Sequence, residues 1–287
     1  MIEALAGQGH SAKALCRMLG VAPSGYFHWR GKPPGVRELR RAQLRPLIAD
    51  IHHASMGTYG VRRIVAELRF DHEIVANRKA VQAIMRSLGL QGLPKRKAHR
   101  RGPPTEGAAA CDLVLRSFGA EAPNRLWLTD ITEHPTREGK LYCCVVLDAY
   151  SRSVVGWSID NSQPASLVTS ALGMAIGRRK PIAGGIVHAD HGSQFTSWAF
   201  SERVKSVGLE LSMGRVGDAY DNAMMEAFWA RMQVELLNRK RWRTRLELAN
   251  AIFEYVEVFH NRRRRHSALG MLTPSEYDNL YTPTLAA

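Results

Sequence analysis

Residues 141–157 read LYCCVVLDAYSRSVVGW. The run from Leu141 to Leu147 is unbroken apolar, far too short to cross a bilayer and the right length for a strand buried on both faces. Tyr150, Ser151 and Arg152 form a polar break, and Val154, Val155 and Trp157 then restore strand-favouring residues. The stretch therefore predicts two strands, over 140–148 and 153–160, joined by a tight turn, with Gly139 marking another turn before them. One step upstream, 126–132 (LWLTDIT) supplies a further strand, so the three form an antiparallel meander. Downstream the period lengthens. A helix over 163–177 leads to a short apolar strand at 185–189, and helices follow over 197–207, 222–237 and 245–259. Three strands and then alternating helix and strand predict an α/β fold, a mixed sheet covered by helices.

Upstream of the sheet, residues 94–122 break every periodicity. They begin PKRKAHRRGPP, so this segment reads as a flexible basic linker between the sheet-bearing region at 123–287 and a helical region at 36–93. In that helical region Val61, Ile64, Val65 and Leu68 repeat at helical spacing, as do Val81, Ile84, Met85 and Leu88. Those stripes are core. The opposite faces carry Arg62, Arg63, Arg69, Arg78, Lys79 and Arg86, and Asn77 stands where it caps the second helix. At 1–35 a short helix-turn-helix outline appears, with Ser11 as an N-cap, Gly20 just past the first helix and Pro23-Ser24 opening the second.

Of 287 residues, 40 are Lys or Arg and 26 are Asp or Glu, a formal net charge of +14. Residues 1–110 hold 19 basic and 7 acidic side chains, net +12, against 21 and 19 for the remainder, net +2. A polyanion partner, nucleic acid above all, accounts for that asymmetry better than a surface kept basic for solubility. No apolar run is long enough for a membrane span, and Glu3 and Gly7 interrupt any signal-like start. The four cysteines form no CxxC pair; Cys143 and Cys144 are adjacent and point to opposite faces of a strand. Neither a disulfide framework nor a structural zinc is expected, and the chain reads as soluble, from a reducing compartment.

Three acids are candidates for the chemistry. Asp130 lies inside a strand, where an aspartate is disfavoured and costly to bury unpaired. Asp190 ends the apolar strand at 185–189, and strand ends are where such sheets place ligands. Glu226 sits on the 222–237 helix, whose other face is expected to hold Met225, Phe228, Trp229 and Met232. Converging at one sheet edge, the three would repel unless a hard divalent cation joined them. Two such ions about 4 Å apart activate an attacking oxygen and stabilise a leaving one. Beside a basic neighbouring region, the matching substrate is a phosphodiester.

The text around these acids resembles a known family. WLTDIT at 127–132, the 141–157 stretch, HADHGSQF at 188–195, DAYDNAMME at 218–226 and NRRRRHSALG at 261–270 with Thr273-Pro274 are similar to the integrase core of insertion-sequence transposases. They are most like the second-frame (OrfB) product of the insertion-sequence-three family, a relative of retroviral integrases. The resemblance covers most of 40–278. It implies an RNase H-like fold and a DDE triad with 35 residues between the second and third acids, the separation of Asp190 and Glu226. It further implies that 42–100, with YGVRR at 59–63, is a helix-turn-helix segment. The implied activity is DNA strand cleavage at element ends, then strand transfer by the freed 3′-OH, with no covalent protein intermediate. Mg²⁺ or Mn²⁺, as two ions, would be held by Asp130, Asp190 and Glu226. The partners implied are double-stranded DNA, further copies of the chain on that DNA and an upstream-frame (OrfA) product or fusion, and the place is the cytoplasm, at the nucleoid.

Gln194, Asn222 and His191 stand near the acids as candidates to support them. Lys95, Arg96 and Lys97, with Arg263, Arg264 and Arg265, are read as DNA-phosphate contacts. One departure is Gln233, where the family often has a basic residue; Arg239, Lys240 and Arg241 are the nearest substitutes. The alternative reading is a non-catalytic DNA-binding accessory or regulatory subunit that needs the upstream-frame partner. It predicts salt-sensitive binding without metal-dependent cleavage.

Overall fold

The structure, a computed structural model, describes residues 1–93, 120–213 and 223–281. Lys95, Arg96 and Lys97 in the predicted linker, and Asn222, lie outside the described residues. Six helices come first: α1 (Ile2–Ala6), α2 (Ala12–Met18), α3 (Pro23–Gly31), α4 (Val36–Ala54), α5 (Val61–Phe70) and α6 (Arg78–Ser87). The turn between α2 and α3 passes through Gly20 at φ +66°, a conformation that glycine adopts without strain. Ser11 takes the N-cap position of α2, although its hydroxyl makes no capping bond. On α6 the expected cap forms, the Asn77 side chain accepting from the Lys79 backbone N–H. Both apolar stripes face inward: Ile64, Leu68, Val81, Ile84 and Met85 are buried, with Val61, Val65 and Leu88 packed at the margin.

Next come β1 (Leu126–Thr136), β2 (Gly139–Asp148), β3 (Val154–Asp160), α7 (Ala165–Arg179), β4 (Ile186–Ala189), α8 (Trp198–Lys205) and β5 (Glu210–Met213). Three helices complete the order: α9 (Ala223–Glu235), α10 (Arg245–Phe253) and α11 (Pro274–Asn279). The strands form one sheet in the order β3-β2-β1-β4-β5. The predicted meander β1-β2-β3 is antiparallel, and β4 and β5 add parallel to its β1 edge. The fold is α/β, an RNase H-like mixed sheet preceded by a helical region.

Strand alternation divides the core into two. Leu141, Cys143, Val145 and Leu147 face one side, which is covered by residues of α4, α5, α6, α9 and α10. Cys144 and Val146 face the other, under α7 and α8. The adjacent cysteines therefore part to opposite faces, and burial pushes both thiols upward, Cys144 to about 12. β3 approaches α7 at Gly156, where an added Cβ would lie 2.7 Å from the Ala175 backbone nitrogen and close against the Ala171 carbonyl oxygen. Gly156→Ala should therefore force sheet and helix apart, costing about 1–3 kcal/mol, readable as a lower midpoint in thermal unfolding.

The helix expected over 245–259 changes character. After Phe253 it widens into π-helical turns over Glu254–His260, which bury Tyr255, Val256, Phe259 and His260. Beyond it, two of the arginines predicted to meet DNA do not. Arg264 and Arg265 are each 1% exposed. Arg264 grips Glu235 with two hydrogen bonds, Nε to Oε2 at 2.7 Å and Nη2 to Oε1 at 2.6 Å. Arg265 donates to Glu67 and Glu276, each at 2.7 Å, and to Asp71. These carboxylates satisfy both guanidiniums inside the protein, so neither is free for phosphate. The Tyr59 hydroxyl completes the join, donating to the Arg263 carbonyl at 2.7 Å and accepting the Arg265 N–H at 2.9 Å. Arg262 and Arg263 remain exposed.

Candidate active site

Asp130 owes its position to register. β1 and β4 pair in parallel with Leu126 opposite Ile186, Trp127 opposite Val187 and Leu128 opposite His188. Two residues further along both chains, that register sets Asp130 beside Asp190, one at mid-strand and one just past the strand end. Side chains alternate across a sheet, so Asp130 shares the side of Leu126 and Leu128, the side on which α9 packs through Met225, Phe228 and Met232. Trp229 packs at the margin of that core as expected, half-buried, and its indole N–H donates to Asp130 Oδ2 at 3.0 Å. Glu226 stands three residues before Trp229, hence on the same flank of the helix. A strand, a strand end and a helix thus bring three carboxylates to one edge of the sheet.

Electrostatics reports the same proximity. The Asp130 carboxyl is pushed up to about 6, by burial first and then by the negative charges of Asp190 and Glu226. The Ile131 N–H, 2.8 Å from Oδ1, and the Trp229 indole offset part of that rise. Asp190 and Glu226 are exposed, and Asp190 Oδ1 accepts the Gly192 N–H at 3.0 Å. Asp148 is a useful contrast. It too is a strand acid raised to about 6 by burial, but it accepts the backbone N–H groups of Asn124 and Tyr150 and shapes the turn after β2.

Would these residues suit a metal ion? All three offer oxygen, the donor that hard divalent cations prefer. Among the described residues no three His, Cys, Asp or Glu side chains close into a cage by themselves. Asp190 and Glu226 are exposed, so the three acids would hold Mg²⁺ only with waters and substrate phosphates completing its shell.

The supporting candidates divide. Gln194 donates to the side-chain and backbone oxygens of Gln163, at 3.1 and 3.3 Å, and so fastens the loop carrying Asp190 to the segment before α7. His191 is exposed, whereas His188 is packed inside, with Nδ1 3.0 Å from the Ser212 hydroxyl. Gln233 bonds Asn238 at 2.8 Å. Of its nearest substitutes, Arg239 is held by the Met56 carbonyl and Lys240 by Glu247, while Arg241 is exposed. Arg62, Arg69, Arg78, Lys79 and Arg86 lie exposed on α5 and α6, and Arg63 is partly withdrawn, 3.6 Å from Glu235. Sequence reasoning missed Glu235, a buried helical acid that no motif flags, and the anchoring hydroxyl of Tyr59, visible only as the first letter of YGVRR.

Comparison with known proteins identifies the family. The Integrase core domain family matches residues 120–219 and, through a second description of that domain, 207–274; the HTH-like domain family matches 38–98. The transposase for insertion sequence element IS904 of Lactococcus lactis subsp. lactis (strain IL1403) is 36% identical over 247 residues, 85% of this chain and 97% of the relative. Transposase InsF for insertion sequence IS3A of Escherichia coli (strain K12) is 36% identical over 272 residues, 94% of each. Among solved structures, a simian T-cell lymphotropic virus intasome, determined with the PP2A regulatory subunit B56 gamma, aligns with a TM-score of 0.47. That alignment has 15% identity and covers 84% of this chain and 76% of that one. With a helix-turn-helix-like segment leading into an integrase core over nearly the whole length of such relatives, the chain belongs to the insertion-sequence transposases.

Proposed function

We propose that this chain cuts DNA at the ends of its element and joins the freed 3′-OH to a new phosphodiester, both at the edge formed by Asp130, Asp190 and Glu226. The observation that carries the reading is the convergence on Asp130: the β1–β4 register sets Asp190 at its side, and the Trp229 indole ties it to the helix bearing Glu226. When bound, one or two Mg²⁺ or Mn²⁺ ions supply Lewis-acid activation of the attacking oxygen and charge stabilisation of the leaving one. The protein's part is placement. Trp229 and the Ile131 N–H fix the Asp130 carboxylate, and the Gly192 N–H orients Asp190 on its loop. The exposure of Asp190 and Glu226 leaves the edge open to a duplex, while the arginines and Lys79 on the exposed faces of α5 and α6 meet its backbone. Further copies of the chain and an upstream-frame segment complete the assembly on DNA.

The test incubates the purified chain, with and without the upstream-frame partner, with duplexes carrying the element's own ends, in Mg²⁺, Mn²⁺ or chelator. Expected are nicks with 3′-OH termini and joined products in either metal and none in chelator. DNA that is bound but left whole under every condition would instead mark the chain as a non-catalytic binding subunit.

A further inference from the structure

On the flank of α9, a cleft of about 290 Å³ opens between α5, the β2–β3 turn and the segment after Arg264. Arg63, Arg152, Arg231, Arg264 and His266 line it, with Glu235 as the acidic wall. The charges do not balance. Both Glu235 oxygens are already held by Arg264, and one of them also receives the Tyr255 hydroxyl at 2.9 Å. Arg63 reaches that carboxylate only at 3.6 Å. Among the described residues Arg152 and Arg231 form no ion pair at all. Four guanidiniums therefore share one carboxylate. His266 adds a further donor. Arg264 Nη1 lies 3.4 Å from His266 Nε2, and a guanidinium can only donate, so Nε2 is the acceptor. Burial first, then His260 and the charges of Arg264, Arg231 and Arg63, push the imidazole well below its ordinary value and keep it neutral. Its one proton therefore sits on Nδ1. That N–H is buried, in a residue 2% exposed, and has no hydrogen-bond partner. A buried donor without an acceptor is costly, and this one stands among cations that also lack partners.

What the cleft lacks is an anion, and the lining narrows its shape and source. The donors belong to four separate elements, α5, the β2–β3 turn, α9 and the segment after Arg264, so they reach the space from several sides. A tetrahedral oxyanion presents oxygens in as many directions, whereas a planar carboxylate does not. The cleft also points away from the carboxylate edge. Arg231 stands about 140° round α9 from Glu226, and none of Asp130, Asp190 and Glu226 lines the cleft. A duplex lying on that edge therefore does not supply the anion. We infer that the cleft is a receptor for a free tetrahedral oxyanion, inorganic phosphate or a small phosphate monoester, with Arg152 and Arg231 as principal ligands and His266 Nδ1–H beside them. Arg63 belongs to the helical region and the other donors to the sheet-bearing region, so the bound anion braces one against the other. None of this rests on the strand-transfer reading.

The test follows the thermal midpoint of the full chain, without DNA or divalent metal, as phosphate or glycerol phosphate replaces chloride at fixed pH and ionic strength. For a dissociation constant of about 1 mM, either ligand at about 50 mM should raise the midpoint by about 4–6 °C. The ligand that acts at the lower concentration identifies the source. The rise should saturate, whereas the general stabilisation of proteins by phosphate keeps growing with concentration. Arg152→Gln and Arg231→Gln should each weaken binding about five- to tenfold, which halves the rise measured from the variant's own midpoint in chloride. In chloride those midpoints should hold or exceed the parent's, because each change relieves repulsion. Arg231→Lys should keep most of the rise, and Lys205→Gln on α8 all of it. A rise that never saturates, or that survives whole in both glutamine variants, would overturn the proposal. So would a parent that neither ligand moves. If the glutamine variants of such a parent bound element-end duplex with a shallower salt dependence, the cleft would be a DNA contact instead.

Discussion

Asp130→Asn should abolish strand cleavage and joining, by at least about a thousandfold, and yet yield a more stable protein when no metal is present. The loss follows from removing the carboxylate at which the strand and helix contributions meet, where metal-assisted transfer draws several kcal/mol, at about 1.4 kcal/mol per tenfold in rate. The gain follows from the raised Asp130 pKa. Its carboxyl titrates near 6 in the fold against an ordinary 3.8. Between those values the native state binds more protons than the unfolded chain, so this group's contribution to stability falls as pH rises and levels off above about 6. The asparagine side chain carries no charge to desolvate, but its NH2 must face either the Ile131 N–H or the Trp229 indole, so at pH 8 it should recover about 1–2 kcal/mol in the metal-free protein. Thermal unfolding at pH 5 and pH 8, with and without Mg²⁺, checks the claim. The advantage of the variant should be largest at pH 8, fall to about half at pH 5, and be reduced when Mg²⁺ stabilises the parent. A variant that still joins strands would remove Asp130 from the site, and one no more stable at pH 8 would show that its charge is not strained there.

The second large effect is structural. Arg264→Ala should cost about 3–5 kcal/mol, because it strands the Glu235 carboxylate, 6% exposed, without its two-pronged partner. Against the penalty of burial, Arg264 and Arg63 hold the Glu235 carboxyl below its ordinary 4.5. The pair therefore contributes stability above about pH 4.5 that is lost as pH falls through the lower folded value. In the alanine variant the carboxyl can escape its isolation by taking up a proton, so the gap between parent and variant should narrow in acid. Arg264→Met with Glu235→Leu, which removes both charges and keeps the bulk, should recover most of the loss. Denaturant midpoints at pH 4 and pH 7 measure both expectations. A double variant as unstable as Arg264→Ala would put the role of Arg264 in its packing, not in its charge.

The difference between what was readable in the sequence and what was not follows the range of the interactions. The β1-β2-β3 meander and the stripes on α5 and α6 are local periodicities, and each appears as the pattern dictates. Of the three acids only Asp130 stood out by its place, inside a strand; Asp190 and Glu226 were marked out by the motifs around them. The tie between Asp130 and Trp229 was not readable, since it spans 99 residues and depends on how α9 rotates over the sheet. The run at 262–265 misled for the same reason. Four consecutive arginines look like a charged surface until Glu235, Glu67, Asp71 and Glu276 arrive from 11 to 198 positions away and draw two of them inside. β5 has only four residues and carried no period to detect.

The anchoring of Tyr59 and Arg265 has a consequence for how far apart two events on DNA can be. α5 is joined to the C-terminal segment by a buried guanidinium and a buried phenol, and α4 to α6 share an apolar interior with the sheet. On the function proposed above, the helices that would grip the duplex and the edge that would cut it therefore move as one piece, like the jaws of a fixed gauge. The number of base pairs between the sequence gripped and the bond cut would then be set by the protein's own dimensions, and any slack needed between the first cut and the later joining would come from bending the DNA.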